Sequence, residues 1–413
     1  MRQSVPAAWR LAVILSLLLA VPAAAQTTIT FWHGYSELET VVLEQELIPR
    51  FEAAHPGITV EAVRLGYDDL RDKLVATAAT GMGPDVARVD IIWNPSLAAA
   101  GLLEPLDEYP GFADILDEVY PGPLSTAYLR GSYYGLPLTT NTQVYIYDRH
   151  AFAAAGVSVP TTFDEFATVT RRLTQRDGDV VVRYGYDMGG PWAWNLLGWI
   201  WSNGGDVTDP SITEASGYLD SPQTVAALEA ISEWAAEGIL APNMLGEGFD
   251  QWGSFVRGIV PARQDGPWFA RWLEEENPDF NAGFALMPHG PDGESTSIVG
   301  GENIVMTSGS RHKDAAWAFM KFMLSEEAQG ILAAAGQIPV LRSAISLPEF
   351  RDSDYYPVYL EQLLTAKART PHPRYNEIEE IIQGAFWKAV TGQVSARNAL
   401  TEAARLVDQV LKE

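Results

Sequence analysis

Short extended runs and amphipathic helical stretches alternate from residue 27 to residue 101, and that alternation restricts the fold more than any other feature of the chain. TTITFWHG (27–34) reads as a strand running into a glycine-containing loop. Leu38, Val42, Leu43, Leu47, Phe51 and Ala54 then mark one helical face within residues 37–54, because residues three or four apart share one side of a helix. Pro49 falls inside this stretch and is expected to kink or divide it, since proline has no backbone donor. His55-Pro56-Gly57 stops the helix, and ITVEAV (58–63) is the next strand. The cycle repeats with a helix over 68–80, a turn at GMGP (81–84), a strand in DVARVDII (85–92) and a short helix over 95–100. This order predicts an α/β lobe built on a largely parallel sheet.

A chain of 413 residues is too long for one small core and suggests two lobes. SYYGLPLTTNTQVYIYD (132–148) reads as two extended segments. Thr162 and Glu165 form a capping box that opens a helix to about residue 172. A helix is expected over 222–237, strands in 279–287 and 297–306, and helices over 313–324 and 326–335. From residue 375 onward the pattern is helical, with a break near Gly392. No repeat or low-complexity linker separates two lobes, so the chain is expected to cross between them more than once.

The N-terminus reads as an export leader over residues 1–25. Arg2 and Arg10 give a positive start, LAVILSLLLAV (11–21) an apolar run, and Ala23-Ala24-Ala25 small residues before Gln26. An uncleaved anchor is the alternative, though the run is short for a span. The chain has no cysteine. No disulfide can staple it, and no lipid-bearing cysteine can follow the leader, so a freely diffusing periplasmic protein is expected. A formal net charge of −25, more negative by two without the leader, argues against nucleic-acid or anionic-lipid partners.

The common catalytic signatures are absent. There is no G-x-S-x-G, H-E-x-x-H or Walker A sequence, and GMGP lacks the third glycine of a dinucleotide fingerprint. No cofactor and no metal is expected.

What stands out is aromatic. GGPWAWN (189–195) and DGPWFARW (265–272) each place a Gly-Pro turn directly before tryptophans. A core tryptophan needs no such turn, whereas a ring aimed out of the fold does. Tryptophan and tyrosine cover the C–H face of a sugar, and carboxylates, amides and arginine satisfy its hydroxyls. Clusters mixing the two kinds hold His33, Tyr35, Ser36 and Glu37; Asp90 and Trp93; Asn141; Trp192, Trp194 and Asn195; Trp268; Gly300, Gly301 and Glu302; and Arg374 with Trp387 nearby. The glycine pair is expected to let a ligand approach the backbone. Asp90 fits a ligand contact or a strand-end cap equally, and Trp387 fits a site or an apolar helical face. Trp32, Trp199, Trp201, Trp234 and Trp317 read as core.

The ordered set Phe31-Trp32, FEAAHPGITV (51–60), GMGPDV (81–86), AAGLLEPL (99–106), YYGLP (133–137), DGPW (265–268) and GGEN (300–303) resembles the maltose/trehalose-type solute-binding proteins of ABC importers. GAFWKAVTGQVSARNAL (384–400) resembles the same proteins. The resemblance spans the mature chain. It implies a two-lobed periplasmic-binding-protein fold of type II, with residues 26–139 and 303–345 in one lobe and 140–302 and 346–413 in the other. It also implies a sugar held in the cleft, a permease as partner, a monomer, and no catalysis. His33–Glu37, Asp90 and Trp93 would line one lobe, Asn141 a hinge crossing, and Trp192, Trp268 and Gly300–Glu302 the other, with Arg374 or Trp387 in the tail. Relatives often carry an aromatic after the glycine pair, where this chain has Glu302. Two other readings remain: a binder of a glycerol phosphodiester, with Arg374 on the phosphate, and a glycosidase using Glu37 and Glu302.

Overall fold

Thirteen strands organise the computed structural model, which describes residues 26–343 and 346–412. The leader assigned to 1–25 lies outside the described residues. In chain order the strands are β1 (Thr27–His33), β2 (Ile58–Arg64), β3 (Val86–Asp90), β4 (Tyr128–Leu129), β5 (Ser132–Tyr133), β6 (Leu136–Asn141), β7 (Val144–Asp148), β8 (Gln175–Asp177), β9 (Val180–Arg183), β10 (Ala262–Asp265), β11 (Ala282–Ala285), β12 (Ile298–Met306) and β13 (Lys367–Ala368). The first sheet runs β13-β12-β3-β1-β2, with β6 also paired to β12. The second sheet runs β10-β7-β11.

The expected alternation is present. β1 is parallel to β2 and β3, joined by helices on the way. The expectation of a largely parallel sheet holds for those three strands and for the short pairing of β13 with β12. β12 lies antiparallel to β3 and β6, and the second sheet is antiparallel throughout. β12 enters from the second sheet rather than through a β-helix-β crossover, so the rule that makes consecutive strands parallel does not act on it.

The chain passes from the first sheet to the second between Asn141 and Val144 and returns between β11 and β12. Thr140 also bridges to Ile338, where a further segment leads across. Each sheet has its own core. Phe31, Phe51 and Phe319 meet edge to face under the first. Phe166, Tyr186, Trp199 and Trp234 interlock beside the second. Trp199, Trp201, Trp234 and Trp317 are buried, as expected, and Trp32 is partly buried against the core.

Pro49 takes effect one turn early. The helix Glu37–Val42 widens into a π turn over Leu43–Leu47, then resumes as Ile48–Ala54 with the proline in its first turn. The Ile48 N–H reaches back to the Leu43 carbonyl, which places the missing proline donor at a fresh helix start, where none is needed.

Candidate functional site

The C-terminal end of β3 carries Asp90, and three groups converge on its carboxylate. The Tyr67 hydroxyl donates to Asp90 Oδ2 at 3.0 Å, and the Ile92 N–H donates to Oδ1 at 3.0 Å. Arg369, just past β13, donates to Asp90 Oδ1 at 3.4 Å and to Glu379 Oε1 at 3.3 Å. The Tyr375 hydroxyl donates to the same Glu379 oxygen at 3.3 Å. Asp90 thus caps its own turn, one of the two readings the sequence allowed, and also anchors a charged cluster. Arg369 is buried, and neighbouring acidic groups raise its pKa against the opposing effect of burial.

Two aromatic walls flank this cluster. Tyr67, 53% exposed, packs at a 55° tilt against the buried Trp93 with ring centroids 4.4 Å apart. Across from it, the Arg369 guanidinium lies 5.6 Å from the Trp194 ring centre, and Trp194 meets Trp268 at 6.3 Å with 32° between their planes. Trp194 lies on the helix Ala193–Ser202, and Trp268 lies on the helix Pro267–Glu276 directly after β10. The Gly-Pro turn is therefore a helix start: Pro267 occupies the first helical position and Gly266 caps it. A Cβ on Gly266 would lie 2.3 Å from the Trp268 ring, so only glycine lets the indole fold back towards Trp194.

Asp265 behind Trp268 is fixed by the Trp252 indole at 3.0 Å and by Arg263 at 2.7 Å. Burial raises the Asp265 pKa, and Arg263 opposes the rise.

The glycine pair serves a different purpose from the one expected. A Cβ on Gly300 would meet Asn141 Oδ1 at 2.2 Å and the Trp194 ring at 2.7 Å, and one on Gly301 would meet the Thr139 carbonyl at 2.3 Å. The space over the pair belongs to Asn141 and Trp194, not to a ligand. Asn141 is buried with its Oδ1 unpartnered.

Glu302 sits beside Asp90 in the β3–β12 ladder. Its carboxylate takes Arg88 at 2.8 Å and the Thr139 hydroxyl at 2.8 Å. Burial raises its pKa, while Arg88 pulls it down. Arg88 in turn lies 4.3 Å from the Tyr35 ring centre.

The remaining expected residues fall elsewhere. His33 and Tyr35 are buried rather than lining an open surface. Ser36 caps the helix Glu37–Val42 in a capping box with Glu39, and Glu37 is exposed in its first turn. Arg374 pairs with Glu377 at 2.7 Å and lines a groove with Leu406, Gln409 and Val410. Trp387 lies flat on Gly246, whose Cβ would stand 2.4 Å from the ring. Trp192 is exposed and makes no ring contact with Trp194.

Tyr67, Arg369 and Glu379 were not singled out by the sequence reading. KARTP (367–371) offers one arginine among several in the tail, and only its fold position separates it from Arg374. A cavity of about 380 Å³ meets the cluster at Arg369 and is lined by Ile91, Ile92, Pro95, Tyr128 and Pro371. None of the paired tryptophans lines it.

Comparison with known proteins gives this geometry a context. Residues 37–330 match the family described as bacterial extracellular solute-binding protein. The maltotriose-binding protein of Pyrococcus abyssi is 27% identical over 378 residues, covering 89% of this chain and 76% of that protein. A solute-binding protein of an ABC transporter from Thermotoga lettingae, solved with α-D-tagatose, is 27% identical with a TM-score of 0.82, over 94% of this chain and all of that one. The GacH receptor of Streptomyces glaucescens, solved unliganded and with acarbose, superposes with a TM-score of 0.84 at 24% identity, over 94% of this chain and 99% of that one.

Proposed function

Because the chain belongs to the family of bacterial extracellular solute-binding proteins, we propose that it captures an oligosaccharide between its two lobes and presents it to the membrane permease of an ABC importer. The observation that carries this is the pair of aromatic contacts, Tyr67 with Trp93 and Trp194 with Trp268, that adjoin the polar Asp90–Arg369–Glu379 cluster through Asp90 and Arg369. Flat rings supply area for a sugar's C–H faces. The charged cluster supplies donors and acceptors for its hydroxyls.

The walls come from different sheets, so a ligand touching both favours the arrangement that brings them together. Moving such an equilibrium from 1:99 to 99:1 takes about 5.5 kcal/mol of differential binding. We assign residues 26–139 with 303–345 to one lobe and 140–302 with 346–413 to the other. The passage from β6 to β7 supports the first boundary. β13 pairs with β12 in the first sheet, which supports a junction position for the segment carrying Arg369.

The protein acts without catalysis in this reading. Asp90 and Glu302 are each held by an arginine and a hydroxyl, which suits a fixed scaffold more than a proton shuttle. It works as a periplasmic monomer after loss of its leader. Among the described residues no helix is long and apolar enough to cross a membrane.

The test is thermal unfolding of residues 26–413 against malto-, manno- and chito-oligosaccharides, with glycerophosphocholine as the rival ligand. A ligand at a hundred times its Kd adds about 2.7 kcal/mol of stability. A rise with one sugar series and no product release supports the proposal. A rise with glycerophosphocholine alone sinks it.

A further inference from the structure

Trp194 and Trp268 stand on helices that follow two Gly-Pro turns, and one buried side chain, Arg263 of β10, connects the two turns. Arg263 is 1% exposed. Its Nη2 donates to Asp265 Oδ2 at 2.7 Å and lies 3.7 Å from Asp187 Oδ2, while Nη1 donates to the Gln251 carbonyl at 2.7 Å. The guanidinium also lies over the Phe269 ring, 4.3 Å from its centre.

Each of these partners is tied to a turn. Asp265 Oδ1 accepts from the Gly266 N–H at 2.8 Å, and Phe269 follows Trp268 in the helix that begins there. Asp187 Oδ1 accepts from the Gly189 N–H at 2.9 Å, and the Gln251 amide donates to the Gly189 carbonyl at 3.3 Å. Gly189 in turn packs on Asn195, the neighbour of Trp194: a Cβ there would lie 2.7 Å from Asn195 Nδ2. One cation therefore links the backbone behind both members of the Trp194–Trp268 contact.

Stability alone does not call for this arrangement. Burying a cation with two carboxylates is expensive, and well-packed apolar residues of similar volume are often as stable or more so. What the charges add is geometry, because the planar guanidinium fork fixes several acceptors at once.

We propose that Arg263 is a positioning residue for the sugar platform: by holding the Gly189 and Gly266 turns to one guanidinium, it sets the distance and tilt between Trp194 and Trp268. This rests on the oligosaccharide reading above. Being buried, Arg263 acts through the two indoles and not on the ligand.

The experiment is calorimetric titration of malto-, manno- and chito-oligosaccharides of two to five units into the wild type, Arg263→Met, Trp268→Ala and the double variant. In the series that binds, Arg263→Met is expected to weaken binding about tenfold, the scale of a lost stacking contact. In the Trp268→Ala background the same substitution should cost almost nothing more, because the pair that it aligns is already gone. A role confined to holding the fold together would cost the same factor in both backgrounds. Asp187→Asn keeps an acceptor for Gly189 and removes the charge. It is expected to repeat the pattern on a smaller scale, and it carries the test if Arg263→Met does not fold. Unchanged affinity in the folded variant, or equal losses with and without Trp268, overturns the positioning role and leaves the sugar reading standing. If the wild type binds no member of any series, the sugar reading fails and takes this inference with it.

Discussion

Arg369 and Asp90 meet at 3.4 Å where the two sheets adjoin, and the same guanidinium reaches Glu379 at 3.3 Å. One arginine from the segment after β13 thus joins the end of β3 to the helix Tyr375–Val390. Its guanidinium lies over the Trp194 ring, 5.6 Å from the ring centre. Charge, junction and aromatic wall are tied together by a single side chain.

Removing it should be costly. Arg369→Met leaves Asp90 and Glu379 buried without their cation, and breaking a buried pair costs about 3–5 kcal/mol. Urea unfolding should show a loss of that order. Arg369→Lys should recover little, because an ammonium lacks the planar fork that reaches two carboxylates and stacks on a ring. Full recovery by lysine would show that charge alone matters here.

The paired tryptophans should carry most of the affinity. Trp268→Ala is expected to weaken sugar binding by at least about tenfold, by loss of stacking area and of the contact that steadies Trp194. Titration followed by tryptophan fluorescence reads this directly. Unchanged affinity would remove Trp268 from the site.

Gly300 should not tolerate a side chain. In Gly300→Ala the new methyl meets Asn141 Oδ1 at 2.2 Å and Trp194 at 2.7 Å. Overpacking of this kind costs about 1–3 kcal/mol, and the displaced indole should weaken sugar binding as well. A variant with wild-type melting temperature and wild-type affinity would contradict the placement of Trp194.

Acid should weaken the fold through His33. Burial, helped by Arg88 and Arg64, lowers its pKa from 6.5 to about 4. Between those values the unfolded chain takes up a proton that the folded chain refuses. Stability therefore falls as the pH drops from 6.5 towards 4 and levels off below that, as far as this residue is concerned. The shift corresponds to about 3 kcal/mol. His33→Gln should flatten this part of the profile of unfolding free energy against pH. Parallel profiles for the variant and the wild type would show that another group governs the window.

Much of this was legible in the sequence where a local rule applies. Helical periodicity marked Leu43, Leu47 and Phe51, all buried in one core, and the capping box at Thr162 opens the helix Phe163–Leu173. The Gly-Pro-Trp turns drew notice to Trp192 and Trp268 as rings aimed out of the fold, whereas it is Trp194 that meets Trp268. What stayed hidden depends on distant partners. Tyr67 matters only because Trp93 and Asp90 lie beside it, and Arg369 only because β13 docks on β12. Neither leaves a periodic trace. The same limit explains His33 and Tyr35, whose polar atoms suggested a surface while both are buried and Arg88 packs over the Tyr35 ring.

The most direct test of the central claim is one calorimetric titration of the best-binding oligosaccharide into the wild type and into the Trp194→Ala/Trp268→Ala double variant, with chromatography of the sugar afterwards. The account predicts saturable one-to-one binding by the wild type, its loss in the double variant, and sugar recovered uncleaved. Equal binding by both proteins, or cleavage products from the wild type, would contradict it.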